Sequence, residues 1–145
     1  MDIKSNFDIL KINEISLEKG NLKKILDLRK INVEEIYSSD IEENQIKGWK
    51  KHNKQTSRLF CISGEVDFFL KNDNDDSLVK ISLIKNDNKI LIIYPGNWYA
   101  FRGNSCHNTI MNFASHYHEN SESEVYTLNK KYEEDIENKV VKVFN

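Results

Sequence analysis

Proline occurs once in this chain, at Pro95, and glycine five times among 145 residues. That scarcity excludes collagen-like and Pro/Gly-rich disordered chains, and it makes each of these residues a punctuation mark. There are two cysteines, Cys61 and Cys106, which is too few for a disulfide framework or a spaced metal motif. Cys61 lies inside an apolar run and reads as a small buried hydrophobe. No apolar run is long enough to span a bilayer, and the opening Met1-Asp2-Ile3-Lys4-Ser5-Asn6 lacks the apolar segment of a secretion signal. No membrane partner is expected, and the default location is the cytoplasm. An excess charge of either sign is also missing. Lysine plus arginine number 21 against 23 aspartates and glutamates, a formal −2, so nothing points to nucleic acid.

What the chain does have is strand-like runs of four to eight residues with turn signals between them, the all-β pattern of one domain over residues 1–145. Leu22–Leu28, Val33–Ser38, Gln45–Trp49 and Ser57–Ser63 are β-capable. Gly64-Glu65 turns the chain into Val66–Leu70. Lys71–Ser77 is rich in asparagine and aspartate and reads as a loop. Leu78–Ile84 alternates between two faces. Ile90–Ile93 reads as a fully buried strand, which Pro95 ends because proline cannot donate to a ladder. His107–Ala114 is the last clear strand of a barrel core over about 20–118. The tail, 128–145, differs: charged Lys130–Asn138 is compatible with a short helix, and Val140–Phe144 with a weak strand or an anchor. Two strand–turn–strand halves, around Gly64 and around Pro95-Gly96, fit a jelly-roll plan.

The runs Val33–Ser38, Ile46-Lys47-Gly48-Trp49, Lys54-Gln55-Thr56 and Phe60–Gly64, followed by Ile90–Phe101 and Asn112–Ser115, carry a family likeness in their order and spacing. Over about residues 19–120 the chain resembles the dTDP-4-dehydrorhamnose 3,5-epimerase-like cupins and their neighbours, the dTDP-sugar 3,4-ketoisomerases. The resemblance implies a single cupin barrel, usually paired as a homodimer. It also implies a nucleotide-diphospho-4-keto-6-deoxy sugar as small-molecule partner, epimerase or ketoisomerase activity in surface-polysaccharide precursor synthesis, and no cofactor. Where family members show Gly-Trp-His-x-His, this chain has Gly48-Trp49-Lys50-Lys51-His52. The second histidine is present as His52 and the first position holds Lys50. Tyr99 stands where relatives often carry a histidine in the second turn.

Such chemistry removes a proton beside a carbonyl and needs a base with a pKa near neutrality, which histidine supplies with little tuning. A donor must also stabilise the enolate oxygen. His52 is therefore the expected base, with Lys50 and Tyr99 handling the oxygen and its proton. Lysine's ordinary pKa, about 10.4, suits it better to an anion than to the base role. Arg58 and Arg102 are candidates for the diphosphate, and Trp49, Trp98 and Phe101 for lining the pocket. Each has a structural alternative: His52 as a satisfied inward polar residue, the aromatics as barrel packing, the arginines as surface charges. A metal cupin expects two histidines and a glutamate in the first half and a histidine in the second. Since His52 alone occupies such a position, no metal is expected. His116 and His118 have a His-x-His spacing, but Glu119, Glu122 and Glu124 nearby lie in what reads as a polar exit loop. The rival reading is a non-catalytic sugar-nucleotide-binding cupin that has lost the catalytic histidines.

Overall fold

The computed structural model describes residues 6–71 and 76–145, so most of the loop expected over Lys71–Ser77 lies outside the described residues. Two sheets, antiparallel except for one parallel edge pair, face one another. The five-stranded sheet runs β1 (Phe7–Lys11), β9 (Lys89–Ile93), β6 (Ser57–Ser63), β11 (His107–Ala114), β4 (Glu35–Glu42). The six-stranded sheet runs β12 (Ser123–Val125), β5 (Ile46–His52), β10 (Trp98–Gly103), β7 (Glu65–Lys71), β8 (Leu78–Ile84), β13 (Val140–Phe144). A separate ribbon pairs β2 (Asn13–Ile15) with β3 (Leu22–Lys24). The fold is all-β, a jelly-roll barrel of the cupin type. No helix among the described residues is long and apolar enough to cross a membrane.

The core follows from alternation along the strands. Val66, Phe68 and Leu70 of β7 meet Val79, Ile81 and Leu83 of β8, and all point between the sheets with Leu59, Cys61, Leu91, Ile93 and Ile110. Burial pushes the Cys61 thiol up to about 11, so it stays protonated and packs as a hydrophobe.

The strands expected over Ser57–Ser63, Leu78–Ile84 and His107–Ala114 form with those bounds. Others moved. The run expected over Leu22–Leu28 is only three residues long, because Asp27 and Arg29 close a local turn just after it, Arg29 N donating to Asp27 Oδ1 at 3.1 Å. The strand expected over Gln45–Trp49 continues to His52. The strand that follows the turn at Pro95-Gly96 is Trp98–Gly103, a central strand paired on both sides. It buries both faces, so the alternation that marks a half-exposed strand is absent.

A register shift between Tyr99 and Phe101 opposes Gly48-Trp49 on β5. It places Lys47 opposite Phe101 and Lys50 opposite Tyr99, so Lys47, Lys50 and His52 share the inner face while Trp49 turns outward. Glycine is required at the bulge: Gly48 has φ 142°, and a Cβ there would lie 2.5 Å from the Ala100 Cβ.

The tail is a strap across the outside of the six-stranded sheet. After β12 it forms helix α1 (Lys130–Asp135), capped by the Asn129 side chain at Tyr132 N, and a 3-10 turn, Ile136–Lys139. It then adds β13 parallel to β8. Leu128 and Ile136 complete a second apolar cluster with Trp49, Phe69, Leu78 and Ala100. Arg102 locks the strap by bonding both buried Asp67, at 2.9 Å, and Glu137 of the 3-10 turn. Ile136→Ala should therefore destabilise the fold by roughly 2–5 kcal/mol, as removal of buried methyls does elsewhere. In a urea titration the midpoint should fall at unchanged slope, whereas an unaltered midpoint would mean that the strap does not pack.

Candidate active site

Polar side chains buried inside a barrel core are costly unless paired. This barrel gathers several at one end. His52, Gln55, Ser57, Asn112 and Glu122 are buried, and Tyr99 lies with them. β5 presents His52 inward at its last residue. Beyond it the chain loops through Gln55 into β6, where Ser57 is the first inward residue. β11 brings Asn112, whose Nδ2 donates to the Tyr37 hydroxyl at 2.7 Å.

Glu122 ends the 3-10 turn Asn120–Glu122, and the next residue, Ser123, pairs with His52 in the ladder between β12 and β5. Its backbone carbonyl accepts from Asn53 N at 2.8 Å. The carboxylate is thus carried to the imidazole by backbone pairing. Glu122 Oε2 meets His52 Nδ1 at 2.8 Å, while Oε1 accepts from Gln55 N at 2.8 Å and Lys54 N at 3.0 Å. Burial opposes ionisation of Glu122, but these three donors outweigh it and hold its carboxyl below the usual range.

Burial pushes His52 below its ordinary 6.5. Hydrogen bonding and charge from Glu122 oppose that shift, and the nearby charges of Lys50 and His118 add to it. A neutral imidazole next to an ionised carboxylate gives Nδ1 the proton and leaves Nε2 as the basic nitrogen. Nε2 faces the Gln55 amide nitrogen at 3.3 Å, and that amide also donates to Ser57 Oγ at 3.0 Å. Tyr99 stacks 6.3 Å from the His52 ring, centroid to centroid. Burial pushes its hydroxyl well above the ordinary phenol range, against a hydrogen bond with Ser57. Tyr99 is therefore a donor at every working pH. Burial likewise raises Tyr37.

Of these groups Tyr37, Tyr99 and Asn112 line a cavity of about 130 Å³, together with Ser39, Lys50 and Phe101 and with Leu59 and Ile110 as apolar wall, while His52, Gln55, Ser57 and Glu122 lie outside its lining. Tyr37 and Lys50 also line an outer vestibule of about 420 Å³, together with Glu35, Tyr117 and His118.

Of the residues singled out in the sequence, Lys50, Tyr99 and Phe101 line the inner cavity, and His52 packs behind Tyr99. The other four lie elsewhere. Trp49 is fully buried in the outer cluster beneath the strap, and Trp98 packs against that cluster beside Tyr126. Arg58 points outward and donates to the carbonyls of Asn32 and Phe113. Arg102 is held by Asp67 and Glu137. The bulge at Gly48 decides the placement of Trp49 and the two-sided burial of β10 those of Trp98 and Arg102, and neither is visible as a local pattern. Glu122 and Gln55 carry no local signal either: one is among several glutamates of a polar stretch, the other lies in a connecting loop. His116 turns to Ser115 Oγ at 2.8 Å, while His118 reaches the vestibule. Among the described residues, His, Cys, Asp and Glu side chains do not gather in threes.

An all-β cupin barrel with a carboxylate-oriented histidine beside an interior cavity defines the class of this protein. The chain belongs to the family described as WxcM-like, C-terminal, whose model matches residues 5–134. Solved structures share its fold. A dTDP sugar isomerase from Desulfovibrio desulfuricans is 23% identical, with 87% of each chain covered and a TM-score of 0.75. A mutant of the 3,4-ketoisomerase QdtA from Thermoanaerobacterium thermosaccharolyticum, in complex with TDP-4-keto-6-deoxyglucose, is 21% identical over 90% of this chain and 93% of that one, with a TM-score of 0.72. The rmlC epimerase of Mycobacterium tuberculosis is 13% identical over 86% and 70%, with a TM-score of 0.74. Comparison with curated proteins finds no match.

The pair makes a spectroscopic prediction. His52 should titrate below 6.5 by NMR of its ring, and in Glu122→Gln it should titrate lower still, because the carboxylate is what opposes burial. An upward move in that variant would contradict the pairing. Both members have native values below their ordinary 6.5 and 4.5. Their contribution to stability is therefore complete above about pH 6.5 and is lost as the pH falls through the native values. Chemical denaturation between pH 7 and pH 4 measures it.

Proposed function

We propose that this protein is a sugar-nucleotide isomerase or epimerase. It enolises a nucleotide-diphospho-4-keto-6-deoxy sugar with protein groups alone, as a cytoplasmic homodimer serving surface-polysaccharide precursor synthesis. The observation that carries the reading is the buried His52–Glu122 pair beside the inner cavity. Family membership supports the substrate class, as does the fold shared with isomerases and epimerases of such sugars.

The geometry suits proton abstraction next to a carbonyl. Substrate displaces the Gln55 amide from His52 Nε2, which takes the proton from the carbon beside the ketone. The electron pair of that C–H bond moves into the enolate, whose oxygen bears the charge. Glu122 stabilises the imidazolium that forms and keeps the tautomer correct. Tyr99, protonated throughout, and Lys50, a cation at the cavity wall, stabilise the enolate oxygen. Return of a proton to the same carbon from its other face completes epimerisation. For transfer of the carbonyl the enolate oxygen takes a proton, the hydroxyl on the neighbouring carbon gives one up, and the former carbonyl carbon is protonated. Phe101 and Leu59 supply apolar wall that strengthens these electrostatic contacts.

One observation favours the rival reading of a binding cupin without catalysis: Gln55 Nε2 already occupies the hydrogen-bonding position at His52 Nε2. The two readings separate on solvent-deuterium incorporation into dTDP- and GDP-linked 4-keto-6-deoxy sugars. Label should enter at C3 or C5 in epimerisation, or at C4 in carbonyl transfer, with the native chain, and His52→Asn should lower its rate by roughly 100-fold or more, as loss of a general base does. The acid limb of kcat/KM should lie below pH 6.5, the ordinary histidine value. Saturable binding with no label from any sugar would establish the binding cupin instead.

A further inference from the structure

We infer that Gln55 is the gate between the inner cavity and its base: at rest its amide covers His52 Nε2, and a keto sugar must push that amide aside before its C–H bond can meet the nitrogen. The inference rests on the enolisation reading of the same site and gives a part to the residue that stands in its way.

Position comes first. His52 is buried and lies outside the lining of the cavity, whereas Tyr37 and Tyr99 line it. Gln55, also buried, links the two. Its amide nitrogen is 3.3 Å from His52 Nε2 and 3.0 Å from Ser57 Oγ, and its side chain is hydrogen-bonded to Tyr37. Direction comes second. Glu122 takes the Nδ1 proton, so Nε2 is an acceptor and the amide presents an N–H to it. Both amide hydrogens are then committed, one to the imidazole and one to Ser57. The Tyr37 hydroxyl accepts from Asn112 Nδ2 at 2.7 Å, which leaves its own proton for the Gln55 carbonyl oxygen. Every donor in this chain, from Asn112 through Tyr37 and Gln55 to His52, points towards Glu122.

Stiffness comes third. The main chain of the gate is pinned: Gln55 N donates to Glu122 Oε1 at 2.8 Å and Thr56 N to Ser115 Oγ at 2.7 Å. The tip is loose, since 3.3 Å exceeds the usual N–H hydrogen bond of about 2.7–3.2 Å. Side-chain rotation therefore uncovers Nε2 without disturbing the carboxylate. Opening costs little if the entering ligand brings an oxygen that accepts from Tyr37 and the freed amide. An apolar occupant would leave those donors buried and unpaired, which costs far more. The gate thus admits ligands with an oxygen beside the reacting C–H bond and otherwise keeps water from the base.

Two variants remove the cover: Gln55→Met, which keeps the bulk, and Gln55→Ala, which does not. Both leave in place the main-chain bond to Glu122 and the groups that act on the His52 ring, Glu122, Lys50, His118 and Tyr99. A hydrogen bond donated to Nε2 stabilises the neutral imidazole. The NMR titration of His52 should therefore move up in both variants, and the acid limb of kcat/KM should move with it. By calorimetry, dTDP-4-keto-6-deoxyglucose should bind Gln55→Met roughly fivefold tighter, the size of one weak hydrogen bond no longer broken. For deuterium exchange kcat/KM should rise by the same factor, through KM. Thymidine diphosphate has no sugar ring to reach His52 and should bind both chains alike. Gln55→Glu should act oppositely on the rate, because a carboxylate beside Nε2 holds the ring protonated and slows exchange at pH 7. In the native chain the keto sugar should shift the His52 Nε2 resonance and thymidine diphosphate should not.

An unmoved His52 titration with weaker keto-sugar binding in both variants would make Gln55 a substrate contact and overturn the gate. So would a gain in affinity shared by thymidine diphosphate, or a native Nε2 resonance that the keto sugar leaves in place. A raised titration and tighter binding without any exchange would sustain the gate and remove the enolisation reading. Exchange by the native chain, with titration and KM unmoved in the variants, would do the reverse.

Discussion

The interior of this barrel depends on one carboxylate. Glu122 is buried and accepts three hydrogen bonds, two of them from consecutive backbone amides. A carboxylate so held stays ionised, and an ionised carboxylate fixes the imidazole beside it in one tautomer. Without it, His52 would be a buried base with no acceptor for its Nδ1 proton. The backbone of residues 53–55 would also lose the anchor that turns it from β5 into β6.

That interaction makes the C-terminal third of the chain part of the chemistry. β12 must pair with β5 for Glu122 to arrive, and β12 is only three residues long. The strap that follows compensates for its shortness. Leu128, Ile136 and Tyr132 cover the outer face of the sheet over Trp49 and Phe69. Arg102 ties the 3-10 turn to buried Asp67, which also accepts from Ser82 at 2.6 Å. The outer face thus secures the strap, the strap secures β12, and β12 delivers the carboxylate. Trp49, Trp98 and Arg102, which look like ligand contacts in the sequence, serve this outer face.

The bulge opposite Tyr99 is the second constraint. Strict alternation from Lys47 would put Trp49 inward and Lys50 outward. The register shift exchanges them, so a cation enters the cavity where an indole would have filled it. The vacated outer position receives Trp49, which becomes the centre of the second apolar cluster. One extra residue in a ladder therefore opens the cavity and glues the strap at once.

Much of the architecture was legible in the chain itself. Period-two runs such as Leu78–Ile84, with Gly64 and Pro95 as punctuation, dictate antiparallel strands. The ordered likeness over residues 19–120 points to a cupin with His52 at its mouth. Those features are local, since strand propensity and turn chemistry act between near neighbours. Tertiary structure alone decided that Trp49, Trp98, Arg58 and Arg102 face away from the cavity, that Lys50 faces into it, and that Glu122 is the partner of His52. The reason is physical. Which face a residue takes depends on a register shift against a partner strand. Which of several glutamates is buried depends on a pairing across 70 residues of sequence.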